Sequence, residues 1–388
     1  MKEEITMEKL EKVPQTLDEW IECVKQDFVG KPVPEVPLWN YVTTLKSLIC
    51  FAGMCGDDNP LFTDATYAPE KWGGLIASPT YPISVKVPTT PEVGYRKGIP
   101  MTEFDSEVEL ENYDVIRIGD SFRAEKIITG VEKKVDKNLG PSAVVSAKTT
   151  IWNQNNEVVA KMTGSSLHPQ KVEKGKMLYN RSIHKYPEEE KEKLIHDIEG
   201  EPPRRGSETL YWEDVKVGEK LPQKVKGPLD LRNLENIKSA IYGNVSGTFR
   251  LSYKNAIKGE PSIHPITGWL EPPVNEHLDW VLCKNRGMPL PFDFGVARGA
   301  MAYHILTDWM GDDGFVRRLK TEITGPFFYS DTLWMTGEVV KKEKTAEGTA
   351  VDIEIKMTNQ LGELITLGSA TVLLPSRSEG PVRLPISP

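Results

Sequence analysis

Acid and base groups cluster at one place in the second half of the sequence. Glu276, His277 and Asp279 lie close together, beside Leu278 and Trp280. Histidine is the usual proton carrier near neutral pH, so Glu276 and His277 are candidates for general acid–base catalysis. In the structural alternative, His277 packs with its apolar neighbours on a short helix.

A second candidate is the carboxylate of Asp57, which lies in a polar loop just before Asn59-Pro60. An Asp in such a loop often accepts hydrogen bonds from nearby backbone N–H groups and does no chemistry. Proton transfer is the alternative role. The residues themselves leave both roles open.

Other polar groups are weaker candidates. Arg317, Arg318 and Lys320 form a basic run that suits phosphate groups, but such a run is also typical of an exposed turn. His304 lies in the middle of an apolar helical stretch, beside Tyr303, and we interpret it as a buried structural histidine.

An internal repeat indicates which elements position these groups. Residues 151–165 read IWNQNNEVVAKMTGS and residues 357–370 read MTNQLGELITLGSA, so the Asn-Gln pairs and the following Glu align. Each copy predicts a hairpin, and another strand pair precedes each copy. Apolar residues from Val296 to Met310 predict an enclosed helix, and its counterpart should begin near Ser78-Pro79-Thr80. A long helix wrapped by antiparallel strands is what a hotdog domain requires.

We therefore predict an α+β double hotdog, with two antiparallel sheets that each wrap around a central helix and join edge to edge. The predicted domains are residues 1–170 and 207–388, joined by a charged linker at 171–206 that is helical from about Pro187 to Ile198. Residues 257–293 are longer than an ordinary connection and predict a folded flap in the second domain.

Composition excludes several classes of protein. The formal net charge is -8, which argues against nucleic acid as a partner. No apolar run approaches the length of a membrane span, and the polar N-terminus predicts a cytoplasmic protein. The four cysteines form no CxxC pair and the six histidines are scattered, so we expect neither disulfides nor a metal.

One segment resembles a known family. Residues 56–64, GDDNPLFTD, and residues 73–79, GGLIASP, are similar to the signature of the MaoC-like enoyl-CoA hydratases and 3-hydroxyacyl-CoA dehydratases. That signature reads G-D-x-N-P-[IL]-H-x-D. Residues 204–229 resemble the opening of the second hotdog in double-hotdog members. The resemblance covers nearly the whole chain from about residue 36 onward.

The resemblance implies addition of water to a trans-2-enoyl-CoA, or the reverse dehydration, with coenzyme A as part of the substrate and no other cofactor. In the family, an Asp and a His five positions apart activate the water. Here Asp57 matches the Asp, but Phe62 stands at the His position, and the second half has Gly247 and Ser252 at the two positions. Neither half contains an intact pair.

The implied site therefore has Asp57 as its best catalytic candidate, with Glu276 and His277 as replacements for the missing His. The implied substrate-binding residues are Asn59, Phe62, Ser78, Ser252, Arg317 and Arg318. We expect a hydratase or dehydratase of a bulky or unusual acyl-CoA. The alternatives are a non-catalytic acyl-CoA-binding subunit that works with a second MaoC-like subunit, or another thioester reaction. The sequence also leaves open whether the protein forms a homodimer.

Overall fold

The structure is a computed structural model. It describes residues 13–33, 38–90, 93, 98–173, 175–243, 247–258 and 261–388. Its helices are α1 Leu17–Asp27, α2 Leu45–Met54, α3 Pro60–Thr63, α4 Ala68–Trp72, α5 Pro82–Val85, α6 Glu188–Glu199, α7 Leu231–Tyr242, α8 Arg250–Lys258, α9 Gly295–Met301 and α10 His304–Met310. Its strands are β1 Phe104–Asn112, β2 Arg123–Asp136, β3 Gly140–Trp152, β4 Val158–Pro169, β5 Lys220–Lys226, β6 Ser262–Ile263, β7 Leu270–Glu271, β8 Phe315–Ile323, β9 Leu333–Thr345, β10 Gly348–Asn359 and β11 Leu364–Leu373.

One large antiparallel sheet joins the two halves of the chain. Its nine strands lie in the order β2-β3-β4-β1-β8-β11-β10-β9-β5. β1 of the first half pairs with β8 of the second half, with Leu110 opposite Leu319. This pairing covers two strand edges that would otherwise be open to other chains. The predicted double hotdog with edge-to-edge sheets is confirmed.

The two predicted hairpins share the same turn. The side-chain oxygen of Asn153 accepts hydrogen bonds from the backbone N–H groups of Asn155 (2.9 Å) and Glu157 (3.1 Å). In the second half the Asn359 oxygen accepts from Leu361 (3.0 Å) and Glu363 (3.0 Å). These matching contacts explain why the Asn and the Glu recur at the same spacing in the repeat.

The central helix of the second half is fully enclosed, as its sequence predicts. Every residue from Val296 to Met310 is buried, although Ala302 and Tyr303 separate the segment into α9 and α10. Gly299 allows close contact with the sheet, because a Cβ there would lie 2.9 Å from the Thr321 hydroxyl.

The central helix of the first half is much shorter. It follows Ser78-Pro79-Thr80 as expected, but α5 is only four residues long. Pro88 disfavours helical geometry in the residue before it and lacks the N–H that a longer helix needs. The chain also passes very close to β4 here, since a Cβ on Gly164 would lie 2.4 Å from the Pro88 carbonyl oxygen.

The charged connection packs along the second half. Its helix α6 closely matches the predicted helical stretch. Before it, the Arg181 guanidinium donates to Asp331 (2.5 Å) and the Tyr186 hydroxyl donates to the Ser330 carbonyl (2.7 Å). Among the described residues, no helix is long and apolar enough to cross a membrane.

The inserted segment between α8 and α9 contains short regular elements. β6 and β7 form a small hairpin, and helical turns follow at Pro273–His277 and Leu282–Arg286. The Ser262 hydroxyl donates to Glu276 (2.5 Å), which joins the hairpin to the first helical turn. The segment therefore brings Glu276 and His277 next to the start of α9.

Candidate active site

Asp57 lies in a tight turn between α2 and α3. Its Oδ1 accepts a hydrogen bond from the Asn59 N–H at 2.9 Å, and Asn59 in turn caps α3 by accepting from the Leu61 N–H at 3.1 Å. The sequence Asp-x-Asn-Pro thus builds its own turn through side-chain oxygens. The Asp57 side chain is completely buried. One of its oxygens serves the turn, and the other is left for a different partner.

Three buried polar atoms near this turn have no hydrogen-bond partner in the described part of the chain. They are Asp57 Oδ2, Ser78 Oγ and the Tyr303 hydroxyl. The Tyr303 hydroxyl interacts with both Asp57 and Ser78, but forms no well-aligned hydrogen bond to either. Burial raises the pKa of Tyr303 well above its ordinary value, and the nearby Cys55 and Asp57 add to the shift. Buried polar atoms are nearly always paired, so this cluster indicates space for a water or a ligand atom.

A histidine reaches Asp57 from the other half of the molecule. His304 Nε2 lies 3.6 Å from Asp57 Oδ1 and 3.4 Å from Asp308 Oδ2. The family position of the histidine is filled by Phe62, which is buried and packs edge-on against Tyr303 with ring centroids 6.0 Å apart. The structure therefore places an imidazole beside Asp57 from α10 rather than from the loop.

Two lysines of β5 lie beside His304 and Asp308. Lys226 Nζ contacts His304 Nδ1 and donates to the Cys55 carbonyl at 2.7 Å. Burial lowers the pKa of Lys226. Lys224 pairs with Asp308 at 2.6 Å and with Glu201 at 2.9 Å. Because an ammonium group is a donor only, Lys226 donates to His304 Nδ1, and the Nε2 hydrogen of His304 faces the carboxylates.

The carboxyl group of Asp308 completes this network. Burial opposes its ionised form, but the interactions with His304 and Lys224 prevail and lower its pKa. Asp57, His304 and Asp308 also lie close enough to share a metal ion. A metal fits this set poorly, because Lys226 occupies the second imidazole nitrogen and Lys224 already neutralises Asp308. The geometry favours a hydrogen-bonded charge network.

A narrow cavity of about 40 Å³ opens beside this cluster. It is lined by Asn59, Phe62 and Ser78 from the first half and by Thr307 and Met310 from α10. This volume is enough for a few water molecules. Four residues selected from the sequence therefore line this cavity or lie beside it: Asp57, Asn59, Phe62 and Ser78.

Glu276 and His277 lie at the opposite end of the α9–α10 segment. Glu276 pairs with Arg286 at 2.6 Å, in addition to the bond from Ser262. His277 is stacked on Phe294 with ring centroids 4.2 Å apart. Burial and the charge of Arg286 lower the pKa of His277 to about 3, so its ring is neutral. These two residues are not brought together with Asp57.

The remaining predicted residues also lie apart from the cluster. Ser252 belongs to α8. Arg317 is on β8 and makes two hydrogen bonds of 2.9 Å to Glu347, and Arg318 is paired with Glu109. Lys320 pairs with Glu107 at 2.8 Å. Arg318 and Lys320 therefore face carboxylates of the neighbouring strand β1, Arg317 binds a carboxylate in the turn between β9 and β10, and the phosphate role of the run stays a prediction.

The residue that sequence reasoning missed is His304, which we had interpreted as a structural histidine of the central helix. Its partners Asp57 and Lys226 come from distant parts of the chain, so no local spacing connects the three. The available signal was the presence of titratable side chains, among them Arg298, His304 and Asp308, in a segment whose other residues are mostly apolar.

Comparisons with known proteins agree with this architecture. Residues 28–162 match the family model of the FAS1-like dehydratase domain region. A solved structure described as a MaoC-like dehydratase superposes with a TM-score of 0.63 at 15% identity, over 90% of this chain and 99% of that chain. A putative MaoC domain protein dehydratase from Chloroflexus aurantiacus J-10-fl gives 0.57 at 13% identity, over 95% and 99%.

A conserved hypothetical protein from Mycobacterium tuberculosis, described as having a double hotdog fold, gives a TM-score of 0.53 at 11% identity, over 87% of this chain and 94% of that chain. No curated protein matches the sequence. The comparisons therefore show that this chain shares the double hotdog fold of those structures over most of its length, and that its first half is similar to the dehydratase domain region.

Proposed function

We propose that this protein is a hydratase or dehydratase that interconverts a trans-2-enoyl-CoA and a 3-hydroxyacyl-CoA at the Asp57 cluster. The observation that carries the proposal is the approach of His304 Nε2 to within 3.6 Å of Asp57 Oδ1. This contact replaces the carboxylate–imidazole pair that the loop sequence lacks, and it leaves Asp57 Oδ2 unpaired.

The chemistry needs one group that takes a proton from water and returns one to carbon. Asp57 Oδ2 accepts a proton from water as the water oxygen bonds to the β-carbon, and the resulting carboxyl then protonates the α-carbon. The product is the 3-hydroxyacyl thioester, and the carboxylate is regenerated. His304, whose Nε2 lies 3.6 Å from Asp57 Oδ1, contacts this carboxylate without touching the substrate and is assigned here as a positioning residue.

The hydroxyls of Tyr303 and Ser78 complete the proposed site. Both are buried and form no well-aligned hydrogen bond in the described part of the chain, and in this proposal each donates to the thioester oxygen as negative charge develops on it. The high pKa of Tyr303 keeps its hydroxyl protonated for this purpose. Fixed donors of this type stabilise an enolate without rearrangement during the reaction.

The test is turnover of a panel of enoyl-CoA thioesters by the wild type and by Asp57→Asn. We expect the variant to lose about a hundred- to ten-thousand-fold in turnover, with little change in substrate affinity. Asp58→Asn is the matched control, because Asp58 is the exposed neighbour of Asp57 and should retain full activity. Full turnover by Asp57→Asn would contradict the proposed role of this carboxylate.

A second candidate function is binding of an acyl-CoA without catalysis, as a subunit that works with another MaoC-like protein. The observation that favours it is the buried phenyl ring of Phe62, which carries no proton and fills the family position of the histidine. The same panel distinguishes the two functions. Tight binding of acyl-CoA by the wild type, with hydration only after a second MaoC-like subunit is added, would support the subunit function over the enzyme.

A further inference from the structure

A second and larger cavity, of about 550 Å³, lies at the start of α9. This volume is within the range of small-molecule sites. Its lining residues are all different from those of the cavity beside Asp57. Apolar side chains supply much of the wall, including Phe104, Leu167, Met288, Phe292 and Ile323.

Two polar side chains on one wall are left with hydrogen-bonding capacity. Tyr242 and His277 both pack against Phe294, with ring centroids at 5.3 Å and 4.2 Å, and both line the cavity. The Tyr242 hydroxyl forms no hydrogen bond within the described chain, and it stays protonated because burial, with the charges of Asp105 and Glu103, raises the pKa of Tyr242 well above its usual value.

The hydrogen bonds of His277 fix its tautomer. Its Nδ1 lies 3.1 Å from the Asp293 carbonyl oxygen and 3.3 Å from that of Phe292. Carbonyl oxygens only accept, so Nδ1 carries the hydrogen and Nε2 is an acceptor. The wall therefore offers one neutral donor, on Tyr242, and one neutral acceptor, on His277.

The buried charges of the interior lie beside an opposite charge or a backbone donor. Arg298 Nε lies 2.9 Å from Asp293 Oδ2 without a well-aligned hydrogen bond, and Arg286 lies 2.6 Å from Glu276. Asp105 accepts a hydrogen bond of 2.8 Å from the Val296 N–H at the start of α9. An anionic ligand group placed here would lose its hydration without gaining an unpaired cation. A hydroxyl group, which both accepts and donates, matches the wall.

We propose that this cavity is a second ligand site, separate from the Asp57 cluster, and that it binds an apolar molecule through a neutral hydroxyl group. The hydroxyl accepts from Tyr242 and donates to His277 Nε2, while the apolar body contacts the aromatic and aliphatic walls. The site does not depend on the proposed hydratase activity.

Calorimetry on the full chain with three probes of equal chain length tests this proposal. Decan-1-ol can donate and accept, decyl methyl ether can only accept, and decanoate is an anion. We expect the alcohol to bind about fivefold tighter than the ether, as one neutral hydrogen bond predicts, and at least about tenfold tighter than decanoate. Equal or tighter binding of decanoate would place the polar end at the exposed rim residues Lys134 and Lys137 and overturn the proposal.

Two variants assign the contacts. Tyr242→Phe should weaken decan-1-ol binding about fivefold, and His277→Phe should abolish the preference for the alcohol over the ether. Tyr303→Phe is the matched control, since it removes a buried hydroxyl at the Asp57 cluster and should leave decan-1-ol affinity unchanged. Because Tyr242→Phe removes one oxygen only, its thermal unfolding should match the wild type. Loss of affinity in Tyr303→Phe, with none in Tyr242→Phe, would contradict the site.

Discussion

The two ends of the α9–α10 segment differ in how their polar groups are satisfied. At the α10 end, Asp57 and Asp308 both face His304, and two lysines approach the same cluster. The cavity beside them is about 40 Å³. At the α9 end, the buried charges are paired with each other and the cavity is about 550 Å³.

These differences in charge pairing and in cavity volume suit the α10 end to the proposed chemistry and the α9 end to the proposed ligand binding. A site for proton transfer needs charged groups held close to the reacting carboxylate, as His304, Asp308 and Lys226 are around Asp57. A binding wall needs space and neutral groups that keep a fixed pattern of donors and acceptors, as around His277. One enclosed helical segment positions both, because α10 lies against the loop of Asp57 and the start of α9 lies beside the inserted segment.

The largest expected effect concerns the ion pair at the α9 end. Arg298 is 2% exposed and lies 2.9 Å from Asp293, so Arg298→Met leaves a buried carboxylate without its partner. Removing one member of a buried pair typically costs about 3–5 kcal/mol of unfolding free energy. Urea denaturation measures this loss.

The control for this change is Arg377→Met. Arg377 forms a two-bond pair with Asp214 at 2.7 and 2.8 Å, but both side chains are half exposed. Exposed pairs contribute little to stability. If both variants lost the same stability, burial would not distinguish the two pairs, and the structural role of Arg298 would be contradicted.

The next effect concerns the positioning role of His304. We expect His304→Gln to lower turnover of an enoyl-CoA about ten- to a hundredfold, the size typical of a residue that orients a catalytic ligand or base. In an Asp57→Asn background the same change should cost almost nothing, because the group that His304 orients is already inactive. A merely structural role would instead give independent, multiplying losses in the two backgrounds.

The repeat and the apolar helix made the architecture predictable from sequence. The Asn-Gln-x-x-Glu spacing records real turn contacts, and the helix from Val296 to Met310 is apolar because it is enclosed. The shortness of α5 was less evident, although Pro82 and Pro88 bracket it in the sequence.

The site was predictable only in part. The loop residues around Asp57 are recognisable because they build a turn from neighbouring positions. The role of His304 depends on how α10 lies against that loop and β5, which is a long-range packing outcome. The same holds for the walls of the larger cavity, where Tyr242 and His277 meet only through Phe294.

The smallest effect is a pH dependence of stability that comes from His277 at the α9 end. Burial first, then the charge of Arg286, lower the pKa of His277 from 6.5 to about 3. Between these values the unfolded chain binds a proton that the folded chain does not, so His277 makes the free energy of unfolding fall as the pH falls. The slope it contributes is about half of 1.4 kcal/mol per pH unit at pH 6.5 and approaches the full value near pH 5. His277→Phe should remove this contribution, while the new phenyl ring still packs on Phe294.

His168 makes a matched second case, because burial also lowers its pKa to about 3. His168→Phe should reduce the pH dependence of the unfolding free energy by the same amount. Urea denaturation at pH values from 7 to 5 measures the slopes. An unchanged slope in His277→Phe would mean that the His277 ring of the wild type takes up a proton in the folded state. The wall of the larger cavity would then lack its neutral acceptor.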